Sequence, residues 1–211
     1  MDVEQEIINI KATLIGKSGV GKTCIIRRYT DDFFDPNTKT TPGASYSQKT
    51  LSVDNKQIIL DIWDTAGQEQ YRALGRHFYK DAYIVCLVYD ITNRSSFDDL
   101  KSWYEDLKTY GEKYTITAIV GNKSDMYESE EVEEEEARKY AEEINSPFFL
   151  VSAKKGDNIS LLFKTLVSKY FGPEFEGKIR ESLNEKGIID STNIKVVKDK
   201  KEKIKKKKKC C

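Results

Sequence analysis

Histidine is nearly absent from this sequence, cysteine is sparse, and no apolar run approaches the roughly 20 residues that a membrane-spanning helix needs. The four cysteines are too few for a disulfide framework in a chain of 211 residues. The segment MDVEQEIINI carries acidic residues where a secretory signal peptide has a basic region. We therefore expect a reducing, cytosolic setting, and we assign no role to the single histidine, His77.

Charge is divided unevenly along the chain, although the net charge is zero. Residues 198–211 contain nine lysines against Asp199 and Glu202, a local charge of +7, so the preceding residues together carry −7. An acidic body argues against nucleic-acid binding, whereas a basic tail suits an anionic surface. Residues 172–211 have too few large apolar side chains to offset their ordering entropy. We expect a flexible tail there, after a single domain at residues 1–171.

Hydrophobic periodicity predicts strands that alternate with helices. Strands are expected at residues 7–16, 45–64, 83–91, 116–122 and 147–153, with 45–64 forming a hairpin that turns at Asp54–Asn55. Helical spacing of apolar residues is found at 22–34, 95–110, 131–144 and 158–171. This alternation predicts an α/β fold of βαβ units around a mainly parallel sheet.

The segment GKSGVGKT, Gly16–Thr23, fits the pattern of a phosphate-binding loop and stands between a predicted strand and a predicted helix. Its glycines let backbone N–H groups approach a β-phosphate, Lys22 can reach the β- and γ-phosphate oxygens, and the Thr23 hydroxyl can bind Mg²⁺. A glycine-rich turn with a capping threonine is the alternative, but the full motif has the right context on both sides. The phosphate site is expected to include Ser18, Gly19, Val20, Gly21, Lys22, Thr23 and Cys24.

A second motif, DIWDTAGQE, covers Asp61–Glu69. Asp64 ends an apolar strand, where a carboxylate that holds Mg²⁺ through water belongs. Gly67 would offer a backbone N–H to a γ-phosphate, and Gln68 would orient an attacking water. A strand end followed by a loop with a solvated glutamine is the alternative, but the preceding phosphate loop favours the functional interpretation.

A third motif, GNKSD at Gly121–Asp125, follows a predicted buried strand. The Asp125 carboxylate can accept hydrogen bonds from N1–H and N2–H₂ of guanine, a donor pair that adenine lacks. Asp125 therefore argues against an ATP-using enzyme. Asn122 can contact the base and join its loop to the phosphate loop, and the Lys123 stem can lie over the base. In the later segment SAK, backbone N–H groups of Ser152, Ala153 and Lys154 can reach the guanine O6.

These motifs, in this order, resemble those of small GTPases of the Ras superfamily over about residues 6–171. WDTAGQE, LVYDIT and SSFDDLKSWYEDL match the Rab branch, and FYKDA matches it approximately. The resemblance implies a three-layer P-loop GTPase domain, in which five helices flank a six-stranded sheet with one antiparallel edge strand. It also implies a GTP/GDP switch that uses Mg²⁺, hydrolyses GTP and regulates vesicle traffic by recruiting effectors.

The resemblance assigns roles to weaker stretches as well. Phe34 matches an aromatic residue that packs edge-on against guanine. Thr41 matches the switch threonine that binds Mg²⁺ and the γ-phosphate, a choice that the neighbouring Thr38 and Thr40 leave open on residues alone. The chain departs from the family at Pro42, which replaces an aliphatic residue and restrains Thr41 away from the helical region. We therefore expect a stiffer first switch.

Three aromatic residues, Tyr46, Trp63 and Phe78, match the surface triad through which Rab proteins present the GTP state to effectors. Ordinary packing of a sheet edge against a switch is the alternative. No arginine stands where it would obviously reach the phosphates from within the chain, so slow turnover and a GTPase-activating partner are expected. An exchange factor and a monomeric state are also implied.

The segment IKKKKKCC, Ile204–Cys211, is compatible by composition with a disulfide, a metal site, a disordered segment or a membrane anchor. The resemblance implies geranylgeranyl groups on Cys210 and Cys211, because Rab proteins carry two such lipids on a double cysteine. Two lipids anchor a protein stably where one holds it marginally. An escort protein or GDP-dissociation inhibitor would shield them in a cytosolic pool.

The expected location is the cytoplasmic face of vesicular membranes, and the segments GASY and RALG are similar to endosomal Rab proteins. Two alternatives remain open on the residues. One is a GTP-binding scaffold with very slow hydrolysis, and the other is a Ras-like signalling GTPase with no trafficking role.

Overall fold

Six strands form one sheet in the order β2-β3-β1-β4-β5-β6. The structure is a computed structural model, and it describes residues 6–53, 56–66 and 78–172. Strand β2 at one edge pairs antiparallel with β3, and every other pair is parallel. The strands are β1 Glu6–Ile15, β2 Ala44–Val53, β3 Lys56–Thr65, β4 Ile84–Asp90, β5 Ile116–Asn122 and β6 Phe148–Leu150.

Five α-helices and one 3₁₀ helix flank the sheet in the described part of the chain. They are α1 Lys22–Asp31, α2 Arg94–Asp98, α3 Leu100–Tyr110, α4 Glu134–Glu143 and α5 Ile159–Phe171, with the 3₁₀ helix at Ser124–Ser129. Helices α1 and α5 cover one face, where Tyr29 stacks on Phe163 with ring centroids 4.1 Å apart. Helices α2, α3 and α4 cover the other face. Every residue of β4 is buried because both faces of the sheet are covered.

The predicted α/β class and the six-stranded sheet are confirmed, and the differences are local. Helix α1 ends at Asp31 rather than residue 34, because Asp32 has a left-handed conformation with φ of 51°. The single helix expected at residues 95–110 is two helices that meet at Asp99. Strand β6 has three residues where seven were expected.

Two predictions about chain organisation fall outside the described residues: the turn at Asp54–Asn55 and the tail from residue 173 onward. Val53 and Lys56, on either side of that turn, are paired in the antiparallel register. No helix among the described residues combines the length and the apolar composition needed to cross a membrane.

The parallel strands bring their carboxyl ends to one edge of the sheet, where ligands of open α/β sheets bind. The segment after β1 passes close over β4 at this edge. A Cβ on Gly16 would lie 2.2 Å from the carbonyl oxygen of Val88, so only glycine permits this approach. The motifs after β1, β3, β5 and β6 therefore converge on a common region.

Candidate functional site

A cavity of about 360 Å³ lies at the carboxyl edge of the sheet. It is bounded by the loop after β1, the first turn of α1, the segment between α1 and β2, and the loops after β5 and β6. The predicted site residues that line it are Ser18, Gly19, Gly21, Lys22, Thr23, Cys24, Phe34, Thr41, Asn122, Lys123, Asp125, Ala153 and Lys154.

Six of the remaining predicted residues either lie behind the cavity wall or are not described by the structure. Val20 and Ser152 are buried behind the cavity wall, at 1% and 0% exposure. Gly67, Gln68 and the pair Cys210–Cys211 lie outside the described residues. The structure adds lining residues that the sequence did not indicate: Asp35, Pro36, Lys39, Thr65 and Met126. Thr38 and Thr40, which the sequence left open beside Thr41, also line the cavity.

The loop after β1 leads directly into the amino terminus of α1, which begins at Lys22. Gly21 precedes it with φ of 93°, and a Cβ there would lie 2.3 Å from Nδ2 of Asn122. The first turn of α1 contains no acidic residue. Its free N–H groups and the positive end of its dipole therefore make the cavity floor suitable for an anion.

Lys22 is the buried cation of this loop, with 5% of its surface exposed. Its Nζ donates hydrogen bonds to the carbonyl oxygens of Gly16 and Lys17, at 2.8 and 3.0 Å. Burial lowers the pKa of Lys22 to about 8, and the nearby Asp64 carboxylate partly opposes that shift. An anion bound beside Nζ would stabilise the ammonium form.

Three side-chain oxygens meet beside the first turn of α1. The hydroxyls of Thr23 and Thr41 lie 2.9 Å apart, and both donate to Oδ2 of Asp64, at 2.7 and 2.8 Å. Asp64 is 2% exposed, and its Oδ1 is buried without a hydrogen-bond partner. A buried carboxylate oxygen without a partner beside two hydroxyls fits a hard divalent cation such as Mg²⁺.

The hydrogen bond to Asp64 distinguishes Thr41 from the neighbouring Thr38 and Thr40. Thr38 donates its hydroxyl to the carbonyl oxygen of Asp35 at 2.7 Å, and Thr40 is exposed. Within residues 6–53, 56–66 and 78–172, no group of three or more His, Cys, Asp or Glu side chains forms a metal cluster. The oxygen set of one carboxylate and two hydroxyls does not suit a soft metal.

The opposite end of the cavity is formed by the loops after β5 and β6. Asp125 has a side chain only 6% exposed, and its Oδ1 accepts a hydrogen bond of 2.6 Å from the Ser152 hydroxyl. Asn122 donates to the carbonyl oxygen of Val20 at 2.8 Å and accepts from the backbone N–H of Ala153 at 3.2 Å. Asp125 is therefore held in place, and Asn122 joins the two loops to the phosphate loop.

One supporting residue, Arg28, was not identified from the sequence. Its Nε donates to the carbonyl oxygen of Ala153 at 2.9 Å, and its Nη2 donates to that of Lys154 at 3.1 Å. Arg28 therefore attaches the SAK loop to α1. A basic residue on a short polar helix gives no sequence signal for such a distant contact.

The three aromatic residues predicted to contact effectors form a row at the sheet surface. Trp63 lies between Tyr46 and Phe78, with ring centroids 5.3 and 5.4 Å away. Tyr46 is 50% exposed, and Trp63 and Phe78 are half-buried. The Tyr46 hydroxyl donates to Oδ1 of Asp61 at 2.5 Å, which fixes the outer ring of the row.

A six-stranded sheet whose first loop is a phosphate loop, with a carboxylate-bearing NKSD loop after β5, defines a P-loop GTPase domain. A sequence model of the Ras family matches residues 11–171. The chain belongs to the Ras family.

Three curated relatives carry Rab names. Ras-related protein Rab-30 of Homo sapiens is 37% identical over 169 residues, which is 80% of this chain and 83% of that protein. Ras-related protein Rab-22A of Homo sapiens is 42% identical over 154 residues, covering 73% and 79%. Probable Ras-related protein Rab-4A of Echinococcus multilocularis is 42% identical over 158 residues, covering 74% and 71%. The chain is thus a Rab-type small GTPase, a hydrolase that acts on GTP in membrane trafficking.

The pKa of Lys22 predicts that guanine nucleotide binding takes up a proton in mildly alkaline solution. In the nucleotide-free protein this pKa is about 8, and phosphate oxygens should raise it. Lys22 is already protonated near pH 7, so nucleotide binding should cause little proton uptake at that pH. Near pH 9 uptake should approach one proton, and GDP affinity should fall by about tenfold per pH unit above about 8.

Titration calorimetry of nucleotide-free protein with GDP, in buffers of different ionisation enthalpy, measures this uptake. Equal proton uptake and equal affinity at pH 7 and pH 9 would contradict the predicted role of Lys22 as a buried phosphate ligand.

Proposed function

We propose that the cavity holds GTP or GDP with its phosphates at the amino terminus of α1 and its base against Asp125. The observation that carries this proposal is the placement of two buried, opposite charges in one cavity, Lys22 at one end and Asp125 at the other. Phe34 lines the same cavity and packs partly against the core, which suits contact with the edge of the base. Family membership supports guanine as the base.

The oxygen cluster is our candidate for the Mg²⁺ site. Thr23 and Thr41 would hold the ion through their hydroxyls, and Asp64 would hold it through water. Mg²⁺, when bound, supplies positive charge to the β- and γ-phosphate oxygens. Oδ1 of Asp64, which has no hydrogen-bond donor, supports this assignment. A buried carboxylate oxygen without a partner destabilises the fold, and a water-linked cation would remove that cost in free energy.

The chain's own groups provide the remaining chemistry. Backbone N–H groups of the phosphate loop and the Lys22 ammonium would stabilise charge on the β–γ bridge oxygen as the bond to the γ-phosphate breaks. Gln68 would orient the attacking water. No arginine lines the cavity in the described part of the chain. We therefore expect turnover on the order of 10⁻⁴–10⁻³ per second, by analogy with Ras, and stimulation by an activating protein that inserts an arginine.

The two switch segments are connected through the backbone. Gly43, which follows Thr41 and Pro42, accepts a hydrogen bond of 2.7 Å at its carbonyl oxygen from the N–H of Ala66. Ala66 immediately precedes Gly67. Loss of the γ-phosphate would remove its contacts with both Thr41 and Gly67, so we propose that the two segments relax together and alter the row Tyr46–Trp63–Phe78.

We further propose that residues 1–171 form the GTPase domain and that residues 172–211 connect it to a membrane. Geranylgeranyl groups on Cys210 and Cys211 would anchor the protein to the cytoplasmic face of vesicular, endosomal-type membranes. Lysines near an anionic leaflet contribute roughly 1 kcal/mol each. Exchange factors, effectors and a lipid-shielding escort would act on a protein that is itself monomeric.

Exchanging Asp125 for asparagine tests the base assignment. Asparagine keeps an acceptor for the Ser152 hydroxyl but presents Nδ2–H₂ to the N2 amino group of guanine. We expect GDP affinity to fall on the order of 100-fold or more, because charge-assisted hydrogen bonds are lost. Xanthosine diphosphate, whose O2 accepts from an amide, should then bind better than GDP.

Competition binding with the two diphosphates measures this preference. The matched control is Asp157→Asn, since Asp157 is exposed in the loop after β6 and does not line the cavity. An Asp125→Asn protein that still prefers GDP would refute the assignment.

Exchanging Gln68 for leucine tests the hydrolytic role. Leucine cannot orient water, so single-turnover GTP hydrolysis should slow by on the order of tenfold or more, while GTP affinity stays unchanged. Gln57→Leu on β3 serves as the matched control. Equal hydrolysis rates in wild type and Gln68→Leu would exclude Gln68 from the mechanism and favour the scaffold alternative.

Changing both Cys210 and Cys211 to serine should release the protein from membranes in its native cells while GTP binding persists. The physical reason is that lysines alone, without lipid chains, bind an anionic surface weakly and in a salt-dependent way. Fractionation together with mass spectrometry of the tail measures both properties. Membrane association of the double variant at the wild-type level would disprove lipid anchoring.

A further inference from the structure

Strand β4 ends at a buried carboxylate, Asp90, that the nucleotide-binding motifs do not include. The residue is 5% exposed. Its Oδ1 accepts hydrogen bonds from the backbone N–H and the hydroxyl of Thr92, at 2.9 and 2.8 Å. Its Oδ2 lies 2.5 Å from Nζ of Lys123. Both carboxylate oxygens are therefore engaged, and one of them holds a lysine that lines the cavity.

The environment of this ion pair differs from that of a second pair near the site. The Asp90 side chain is 8% exposed and that of Lys123 is 35% exposed. Lys17 of the phosphate loop pairs with Asp99 at 3.1 Å, but these two side chains are 34% and 39% exposed. Solvent and salt weaken exposed pairs, which often contribute nothing measurable, whereas a buried carboxylate interacts more strongly.

Backbone contacts fix the relative position of the two partners. Asp90 and Asn122 are opposite each other in the parallel register of β4 and β5. The N–H of Ile91 donates to the carbonyl oxygen of Asn122 at 3.1 Å. Lys123, the next residue, has a left-handed conformation with φ of 68°. An unfavourable backbone conformation in a non-glycine residue persists where its surroundings hold it.

The Lys123 side chain is thus held at both ends. Its Cα is fixed at the end of β5, and its ammonium is fixed at the end of β4. The four methylene groups between these points belong to a residue that borders the cavity beside Asp125. An alkyl stem that is prevented from rotating presents a permanent apolar surface, which a planar ring can cover without first ordering the side chain.

We propose that Asp90 is a positioning residue for the guanine base and acts by holding Lys123 across the base end of the cavity. The inference rests on the proposed placement of the base against Asp125. Without the carboxylate, the Lys123 ammonium would turn to solvent and its stem would have to be ordered each time a nucleotide binds. The consequence is faster nucleotide dissociation with the phosphate contacts intact.

The test uses the full chain loaded with a fluorescent GDP analogue. In Asp90→Asn, Oδ1 can still accept from Thr92, but Nδ2 cannot accept from an ammonium. We expect GDP to dissociate about tenfold faster, the effect of one charged hydrogen bond. The matched control Asp99→Asn, which removes the exposed pair with Lys17, should stay within about threefold of wild type.

A double-mutant cycle separates positioning from a general structural role. If Asp90 acts through Lys123, then Asp90→Asn has no further effect on dissociation in a Lys123→Met background. An unchanged rate in Asp90→Asn, or the same acceleration in both backgrounds, would overturn the proposal. Wild-type protein that retains no guanine nucleotide would instead refute the proposed function.

A milder variant covers the case in which Asp90→Asn fails to fold. Thr92→Val removes one hydrogen bond to Oδ1 of Asp90 and leaves the carboxylate in place. It should accelerate GDP dissociation by about threefold in the wild-type background and not at all with Lys123→Met. Dissociation at the wild-type rate in Thr92→Val would count against the proposal.

Discussion

The side-chain amide of Asn122 connects three loops that together form the walls of the cavity. It donates to the carbonyl oxygen of Val20 in the phosphate loop and accepts from the N–H of Ala153 in the loop after β6. Asn122 is 2% exposed, so a chain lacking it would leave two buried backbone groups unpaired, at a cost of about 1–3 kcal/mol each. Gly21 permits the contact, because any Cβ there would collide with the amide.

Near Asn122, the electrostatics of the site depend on which charged side chains are buried, not on the net charge of the chain. The chain has equal numbers of acidic and basic residues, yet Lys22 and Asp64 lie buried beside the amino terminus of α1, where water screens them little. Desolvation costs each of them free energy in the protein alone, and the depressed pKa of Lys22 reflects this cost. A polyanionic ligand with a divalent cation would offset both costs together, which would couple the binding of the two ligands.

The sequence alone predicted the sheet, the class of the fold and most of the cavity lining. Those features depend on local patterns such as the glycines of GKSGVGKT, the apolar run of β4 and the polar residues that end each strand. Arg28 and Asp90 could not be found in this way, because their partners are 125 and 33 residues distant and are defined only by packing of the loops. Thr41 is an intermediate case. The residues alone left Thr38, Thr40 and Thr41 as candidates for the switch threonine, and the family resemblance selected Thr41. In the structure the Thr41 hydroxyl donates to Asp64.

Pro42, where the chain departs from the family pattern, acts on the conformation of the loop together with Thr41 and Gly43. Proline fixes its own φ and restricts Thr41 to extended conformations, and Gly43 follows with φ of 77°. This short sequence places the Thr41 hydroxyl 2.8 Å from Asp64 and the Gly43 carbonyl oxygen 2.7 Å from the N–H of Ala66. Proline reduces the conformational freedom that the loop loses when it is ordered. The entropic cost of ordering the segment 41–43 is therefore lowered by the chain's own covalent structure.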